Sequence, residues 1–298
     1  MDAEMTTLSR SLVVELAGSI GLRNSLLANR IIWPLFRPVT DRLARLGLTF
    51  DRNVLQFGIS KAMKLTLEDF ASTVTARGTE EFPFEGPLLV VSNHPGTYDS
   101  LIVSSQLQRD DLRIISGDIP FLKNLPHAHK HFFCISDDQN VRMVATRKAI
   151  RHLKDSGAVL IYGFGSIDPD PAVYDDAPAC IDQWSPSIDL FLKIVPEARL
   201  LLSIVSHVVS PKWRNSLLYR LRPDPLDRRR LVEFGQVMSQ LLIPHRLMLA
   251  PFISFARPVG VDELRGESGS ERVLPVIIQR AKALLAEHMN WVNTPTNL

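Results

Sequence analysis

From about residue 72 to residue 206, short apolar runs bounded by turn residues alternate with longer amphipathic segments, and this alternation constrains the fold of the chain more than any other feature. The run Leu88 to Ser92 (LLVVS), behind Gly86 and Pro87, has the composition of a strand buried on both faces. LRIISG at 112–117, HFFCIS at 131–136, AVLIYGF at 158–164 and ARLLLSIVS at 198–206 read as further strands. Between them helices are predicted over 100–108, over 140–157 with Gly157 placed to end it, and over 185–195 opened by Ser185 and Pro186. In the helix at 140–157, Val141, Val144, Ala145, Ile150 and Leu153 occupy much of one face, as expected of a core-facing side. Such alternation predicts an α/β fold with a central mixed sheet flanked by helices. Residues 8–47 are mostly helix-compatible, with Gly18, Gly21, Pro34 and Pro38 limiting continuity, and 271–289 reads as a closing amphipathic helix. Residues 211–270 are less readable, with YRLRPDPLDRRR read as a charged loop and LMLAPFISFARPV as a short apolar run. The expected organisation is an N-terminal helical region, 1–70, followed by an α/β domain, 71–298.

Hydrophobic residues make up 45% of the 298, ample for a substantial core, and the net charge of +2 gives no bulk electrostatic case for nucleic-acid binding. Cys134 and Cys180 form neither a CxxC pair nor a zinc-ligand spacing, so a reducing, cytoplasmic setting is expected. The acidic start of the N-terminus and its short apolar run do not resemble a secretion signal, and no uncharged stretch approaches the roughly 18 to 20 residues of a membrane span. Lying on a membrane is a different matter. The segment LRNSLLANRIIWPLFRPVTDRLARL mixes Trp33 and Phe36 with Arg23, Arg30, Arg37, Arg42 and Arg45, a make-up that suits either an interfacial helix pair or a helix covering its own domain.

Ser92, Asn93, His94, Pro95 and Gly96 follow the buried strand, where ligands bind in α/β sheets, beyond strand carboxyl ends. His94 has the side chain best suited to taking a proton from a hydroxyl near neutrality, and Asp99, five residues on, can hold the far ring nitrogen and stabilise the imidazolium. On spacing alone Asp99 is equally a helix cap. The wider stretch GTEEFPFEGPLLVVSNHPGTYDS, with Gly78, Glu80 or Glu81, Pro83, Gly86, Asn93, His94 and Asp99, closely resembles the opening segment of the glycerolipid acyltransferase superfamily, and the likeness extends over roughly residues 74–210. It implies His94 and Asp99 as the catalytic pair. It also implies transfer of a fatty acyl group from an acyl thioester, acyl-CoA or acyl carrier protein, to a hydroxyl of a lipid acceptor, without a cofactor or metal and without an enzyme nucleophile. Asn93, Gly96, Lys123, Gly165 and Ser166 are the expected substrate-binding residues, and the expected location is peripheral, on the inner face of the membrane. A lipid-binding relative without catalysis, or a hydrolase using water at the same base, are the alternatives.

The sequence departs from that pattern where the family binds its acceptor's phosphate. Asp137 and Asp138 stand where an arginine is usual, and Tyr162, Gly163, Phe164, Gly165, Ser166 and Ile167 replace Phe-Pro-Glu-Gly-Thr-Arg. Ile204, Val205, Ser206 and His207 occupy the place of the family's fourth block. These changes favour a neutral or differently charged acceptor, unless Lys123, Arg113, Arg142 or Arg147 supply the positive charge from new positions. His127, His129 and His131 would share one side of an extended strand and could hold a metal, but no fourth ligand accompanies them. Tyr162, Phe164, Trp184 and Trp213 suit either an acyl pocket or the core, and Cys134 reads as a small buried hydrophobe.

Overall fold

A computed structural model describes Ser9, Leu12 and residues 26–220 and 223–294. Seven strands form one sheet: β1 (Thr75–Arg77), β2 (Leu88–Ser92), β3 (Arg113–Gly117), β4 (Phe132–Ile135), β5 (Ala158–Tyr162), β6 (Arg199–Ser206) and β7 (Phe252–Phe255), in the order β1-β7-β6-β2-β5-β3-β4. All pairings are parallel except β6 with β7, so the sheet is mixed, as the alternation predicts. β2 lies at the centre, with Val90 opposite Leu160 of β5 on one side and Leu201 of β6 on the other. Its side chains alternate between two cores: Leu88 and Val90 join one cluster, Leu89 and Val91 the other.

The helices that matter here are α1 (Leu26–Phe57), α2 (Ile59–Leu67), α3 (Asp99–Leu107), α4 (Gln139–Lys154), α5 (Ser187–Ile194), α6 (Pro225–Leu242), α7 (Val261–Ser268) and α8 (Leu274–Val292). Members of α1, α2, α3 and α6 bury Val39, Phe50, Met63, Val103 and Leu241 against one face of the sheet, while α4, α5, α7 and α8 bury Leu153, Phe191, Leu264 and Ile277 against the other. Residues 39–70 therefore share a core with the sheet across the expected boundary at residue 70. α1 runs through Pro34 and Pro38, where a break was expected; a proline inside a helix costs about 3 kcal/mol, and packing of Val39, Ala44, Phe50 and Val54 offsets it. Of the arginines that an interfacial helix pair would set against lipid, Arg37 and Arg42 are paired at 3.4 Å with Asp41 and Asp69; Arg23 and the side chains of Arg30, Trp33 and Phe36 lie outside what is described.

Three expectations need correction. Val141 and Val144 do not face the core: α4 buries Ala145, Ala149 and Leu153, so its contact stripe is rotated away from the two valines. Gly157 does not supply the left-handed residue after α4; Ser156 does, at φ +66°, and Gly157 instead leaves room for the His152 ring, which a Cβ would strike. The charged stretch ending at Arg230 is not a loop throughout, because Asp224 accepts from the backbone N–H groups of Leu226 and Asp227 and opens α6 with Pro225 at its first position. No described helix is long and apolar enough to cross a membrane.

Candidate active site

β2 ends at Ser92, and the next residues are fixed before any ligand arrives. Asn93 does not face the cavity. Its amide donates to the Val205 carbonyl at 2.9 Å and accepts from the Val205 N–H at 2.8 Å, strapping the end of β2 to β6. His94 is held through its backbone: its N–H donates to Asp168 Oδ2 at 2.7 Å, and the Asp168 N–H donates to its carbonyl at 2.8 Å. Asp99 is the first residue of α3 and wholly buried, so it serves no capping role in solvent. Its Oδ2 lies 2.6 Å from His94 Nδ1 and accepts from the Gly96 N–H at 3.2 Å, while its Oδ1 accepts from the Tyr162 hydroxyl at 2.8 Å. The Tyr162 ring also stacks on His94, centroid to centroid 4.3 Å and 21° from parallel.

With Nδ1 engaged by Asp99, Nε2 is the ring nitrogen left for the cavity that His94 lines. That cavity has a volume of about 1000 Å³ and runs between α1, α2, α3 and the β3–β4 edge of the sheet. Its walls are apolar over most of their length, with Leu43, Leu46, Phe50, Met63, Phe70, Ile114, Phe121, Leu122, Phe132 and Val237 among them. The lining also includes polar side chains: Ser100, Ser116, Ser136, Asp137, Arg142, Ser166, Arg230 and Glu233. Gly165 and Ser166 line the cavity too, with Gly165 at φ +76° where a side chain would be strained. Arg230 donates to Ser166 Oγ at 3.3 Å.

Carboxylates crowd the histidine. Burial alone would lower the His94 pKa, but the charge and hydrogen bond of Asp99, with Glu233 and Asp168 behind, outweigh it and raise the pKa from 6.5 to about 9. Burial pushes Asp168 up to about 7 against the opposing pull of the His94 N–H and its ring charge. Glu233 of α6 is likewise raised by burial, although Thr97 Oγ1 donates to it at 2.5 Å. Gly96 lets α6 come this close, since a Cβ there would stand 3.2 Å from Glu233 Oε1. Burial, then the charge of Asp99, holds the Tyr162 phenol well above its ordinary pKa, so it remains a donor.

Several predicted residues lie elsewhere. Lys123 is paired with Asp118 at 2.7 Å on the surface and does not line the cavity, although its neighbours Ile119, Phe121 and Leu122 do. Gly96 sits behind His94, serving Asp99 and α6 instead of a substrate. Arg113 and Arg147 are also off the lining, whereas Arg142 is on it. Asp137 and Ile167 line the cavity, but Asp138 caps α4 by accepting from the Asn140 N–H at 2.7 Å. The histidine tract is a 3-10 turn, Ala128–His131, so its imidazoles do not share one face; the His131 ring lies 2.9 Å from the Arg113 guanidinium. Among the described residues no group of three His, Cys, Asp or Glu is arranged to hold a metal. Tyr162 and Phe164 line the cavity, while Trp184 is buried in the core and Trp213 is off the lining. Asp168, Glu233 and Arg230 escaped the sequence reading. The last two ride on α6, and the Asp224-Pro225 start was the signal that could have revealed them.

Comparison with known proteins adds a family. Residues 73–170 of the 298 match the family model described as Acyltransferase, which takes in β2, His94, Asp99 and the strand leading to Gly165 and Ser166. No curated protein matches the chain. Among solved structures, the 1-acyl-sn-glycerophosphate (LPA) acyltransferase PlsC from Thermotoga maritima is 15% identical, with a TM-score of 0.44 over 96% of this chain and 93% of that one.

Proposed function

Because residues 73–170 form a domain of the acyltransferase family, we propose that this lipid acyltransferase moves a fatty acyl group from acyl-CoA or acyl carrier protein to a hydroxyl of a glycerolipid or related acceptor, with His94 as base. The observation that carries this reading is the 2.6 Å contact of His94 Nδ1 with buried Asp99, where His94 lines a largely apolar cavity. The fatty chain lies along the apolar walls, where each buried CH₂ contributes about 0.8 kcal/mol, and the thioester carbonyl comes to rest near His94. The acceptor hydroxyl gives its proton to Nε2 as its oxygen bonds to the carbonyl carbon. Collapse of the tetrahedral intermediate breaks the C–S bond, and the imidazolium returns the proton to the leaving thiolate. Asp99, steadied by Tyr162 and the Gly96 N–H, fixes the tautomer and balances the positive charge that forms. No enzyme nucleophile is required.

Ser166, Arg230 and Arg142 border the acceptor end, so the positive charge missing from the usual place is supplied by α4 and α6, opposed by Asp137. Membrane association, on a cytoplasmic face, belongs to this reading because the acceptor is a lipid.

The test is a transfer assay with labelled acyl-CoA and with labelled acyl carrier protein thioester, each with a total lipid extract as acceptor. His94→Ala is expected to lower the rate about 10²- to 10⁴-fold, the usual contribution of a general base. Equal product from wild type and His94→Ala would sink the reading, and release of free fatty acid without acylated lipid would favour the hydrolase. Paired phosphate-bearing and phosphate-free acceptors then report which headgroup the two arginines accept.

A further inference from the structure

The rotation of α4 away from its expected packing leaves an outer face that nothing in the fold explains. Val141, Met143 and Val144 are 41%, 45% and 49% exposed within little more than one turn, and Ile119, another rim residue, is 42% exposed. The 16 residues QNVRMVATRKAIRHLK carry five Lys and Arg and no acid, on a chain whose whole net charge is +2. Arg147, Lys148 and Arg151 are exposed, and none is ion-paired among the described residues. At 100° per residue, Met143, Val144, Arg147 and Arg151 fall on one side of the helix, opposite buried Ala145, Ala149 and Leu153. Favourable alignment with the helix dipole accounts for cations in the last turn, where Arg151 stands, but not for Arg147 and Lys148 further up. Arg142 and Thr146, which line the cavity, lie on the sheet-facing side of the same helix, so the outer face adjoins the mouth of the site only at the first turn of α4, where Val141, Met143 and Val144 flank Arg142 in the chain.

We propose that this face of α4 docks the protein on an anionic lipid surface, bringing the mouth of the cavity to the level of the headgroups. Alkyl side chains standing among cations, with no groove behind them, suit a fluid interface: the chains of Met143 and Val144 enter the acyl boundary while Arg147, Lys148 and Arg151 meet phosphates. This places the membrane contact on the α4 side of the molecule. It rests on the acyltransferase reading only for the reason a lipid must reach the cavity; docking itself needs no turnover.

Cosedimentation of the full chain with phosphatidylcholine vesicles, with and without phosphatidylglycerol, tests it. Wild type is expected to sediment with the phosphatidylglycerol vesicles alone and to be released by salt. Each cation at an anionic surface is worth about fivefold in partitioning, so combining Arg147→Gln, Lys148→Gln and Arg151→Gln is expected to weaken binding about a hundredfold. The pair Met143→Ser and Val144→Ser is expected to weaken it roughly tenfold at unchanged salt dependence. All five side chains are exposed, and the salt titration of wild type needs no substitution. Equal binding to both vesicle types would overturn the proposal. So would variants that sediment like wild type, or variants that lose only capture of an acidic acyl carrier protein. A chain that docks but transfers no acyl group would remove the functional reading and leave this one intact.

Discussion

Replacing Tyr162 with phenylalanine isolates one interaction in the site. The ring and its 4.3 Å stack on His94 stay, and only the hydroxyl that donates to Asp99 Oδ1 at 2.8 Å is lost. Asp99 is fully buried and its other oxygen is shared by His94 and the Gly96 N–H, so Oδ1 loses its hydroxyl donor. A hydrogen bond to a charged acceptor is worth about 1.5–3 kcal/mol, which corresponds to roughly a tenfold to a hundredfold loss of rate if the bond matters most while the imidazolium forms. Tyr162 touches no reacting atom in this scheme; it positions Asp99, which positions His94. The expected signature of Tyr162→Phe is therefore a fall in kcat with KM within about twofold, because the cavity wall is unchanged. Steady-state kinetics with a labelled acyl thioester, alongside a urea melt, separate this from simple destabilisation. A kcat within twofold of wild type, or a loss that appears only in KM, would refute the positioning role.

The remaining predictions address charge and stability. With the His94 pKa at about 9 and the neutral ring as base, kcat/KM is expected to climb with pH from 6 toward 9, and Glu233→Gln, which removes one of the carboxylates raising that pKa, is expected to shift the rising limb to lower pH; a limb that stays in place in the variant counts against the electrostatic argument. Asp170 accepts backbone N–H groups from Ala172, His207, Val208 and Val209 at 2.7–3.1 Å while fully buried, so Asp170→Ala is expected to cost about 3–5 kcal/mol in urea unfolding. His288, bridging Ser254 and Ser206, has its pKa lowered to about 3 by burial and then by the charge of Arg77. A depressed histidine gives stability that is present above the unfolded pKa of 6.5 and lost as pH falls toward 3, at about 1.4 kcal/mol per unit, and His288→Gln is expected to flatten that slope in urea midpoints measured from pH 7 to pH 5.

The parts of the fold that were legible in the sequence are those whose burial is plainly apolar. β2, β5 and β6 are covered on both faces and read as continuous apolar runs, and the helices between them follow from period and capping. The His94–Asp99 pair was legible as a motif, though its spacing alone left capping open. α6 was not legible, for a physical reason. Its buried face holds Glu233, Gln236 and Gln240 beside Val232, Met238 and Leu241. Gln236 accepts from the Ser210 N–H and donates to the Val208 carbonyl, and Gln240 accepts from the Tyr98 hydroxyl. A helix that packs against loops and a polar site must present polar atoms inward, which erases the apolar period a sequence reader looks for. α4 failed in the opposite direction: its valines had the right period for a core face, but exposed apolar residues carry the same period as buried ones.

The role of Glu233 follows from what a base must do. Raising the His94 pKa to about 9 leaves on the order of 1% of the ring neutral at pH 7, and because the proton is only partly transferred in the transition state, the added proton affinity returns only a fraction of that loss. A ring of permanently ionised carboxylates would therefore hinder the reaction. Two of the three are not of that kind. Asp168, at about 7, takes a proton near neutrality, and burial pushes Glu233 in the same direction; each proton taken removes part of the field that holds His94 protonated. A hydrocarbon chain in the cavity excludes water from the same end and disfavours every charge there, most readily relieved by moving the His94 proton to a neighbouring carboxylate, which leaves two neutral groups in place of an ion pair. Glu233 lines the cavity with His94, and Thr97 is its hydrogen-bond donor among the described residues, whereas Asp99 holds Nδ1. If His94 is the base, the acidic surroundings would hold its proton while the site is wet, and a hydrocarbon chain filling the cavity would favour the neutral ring.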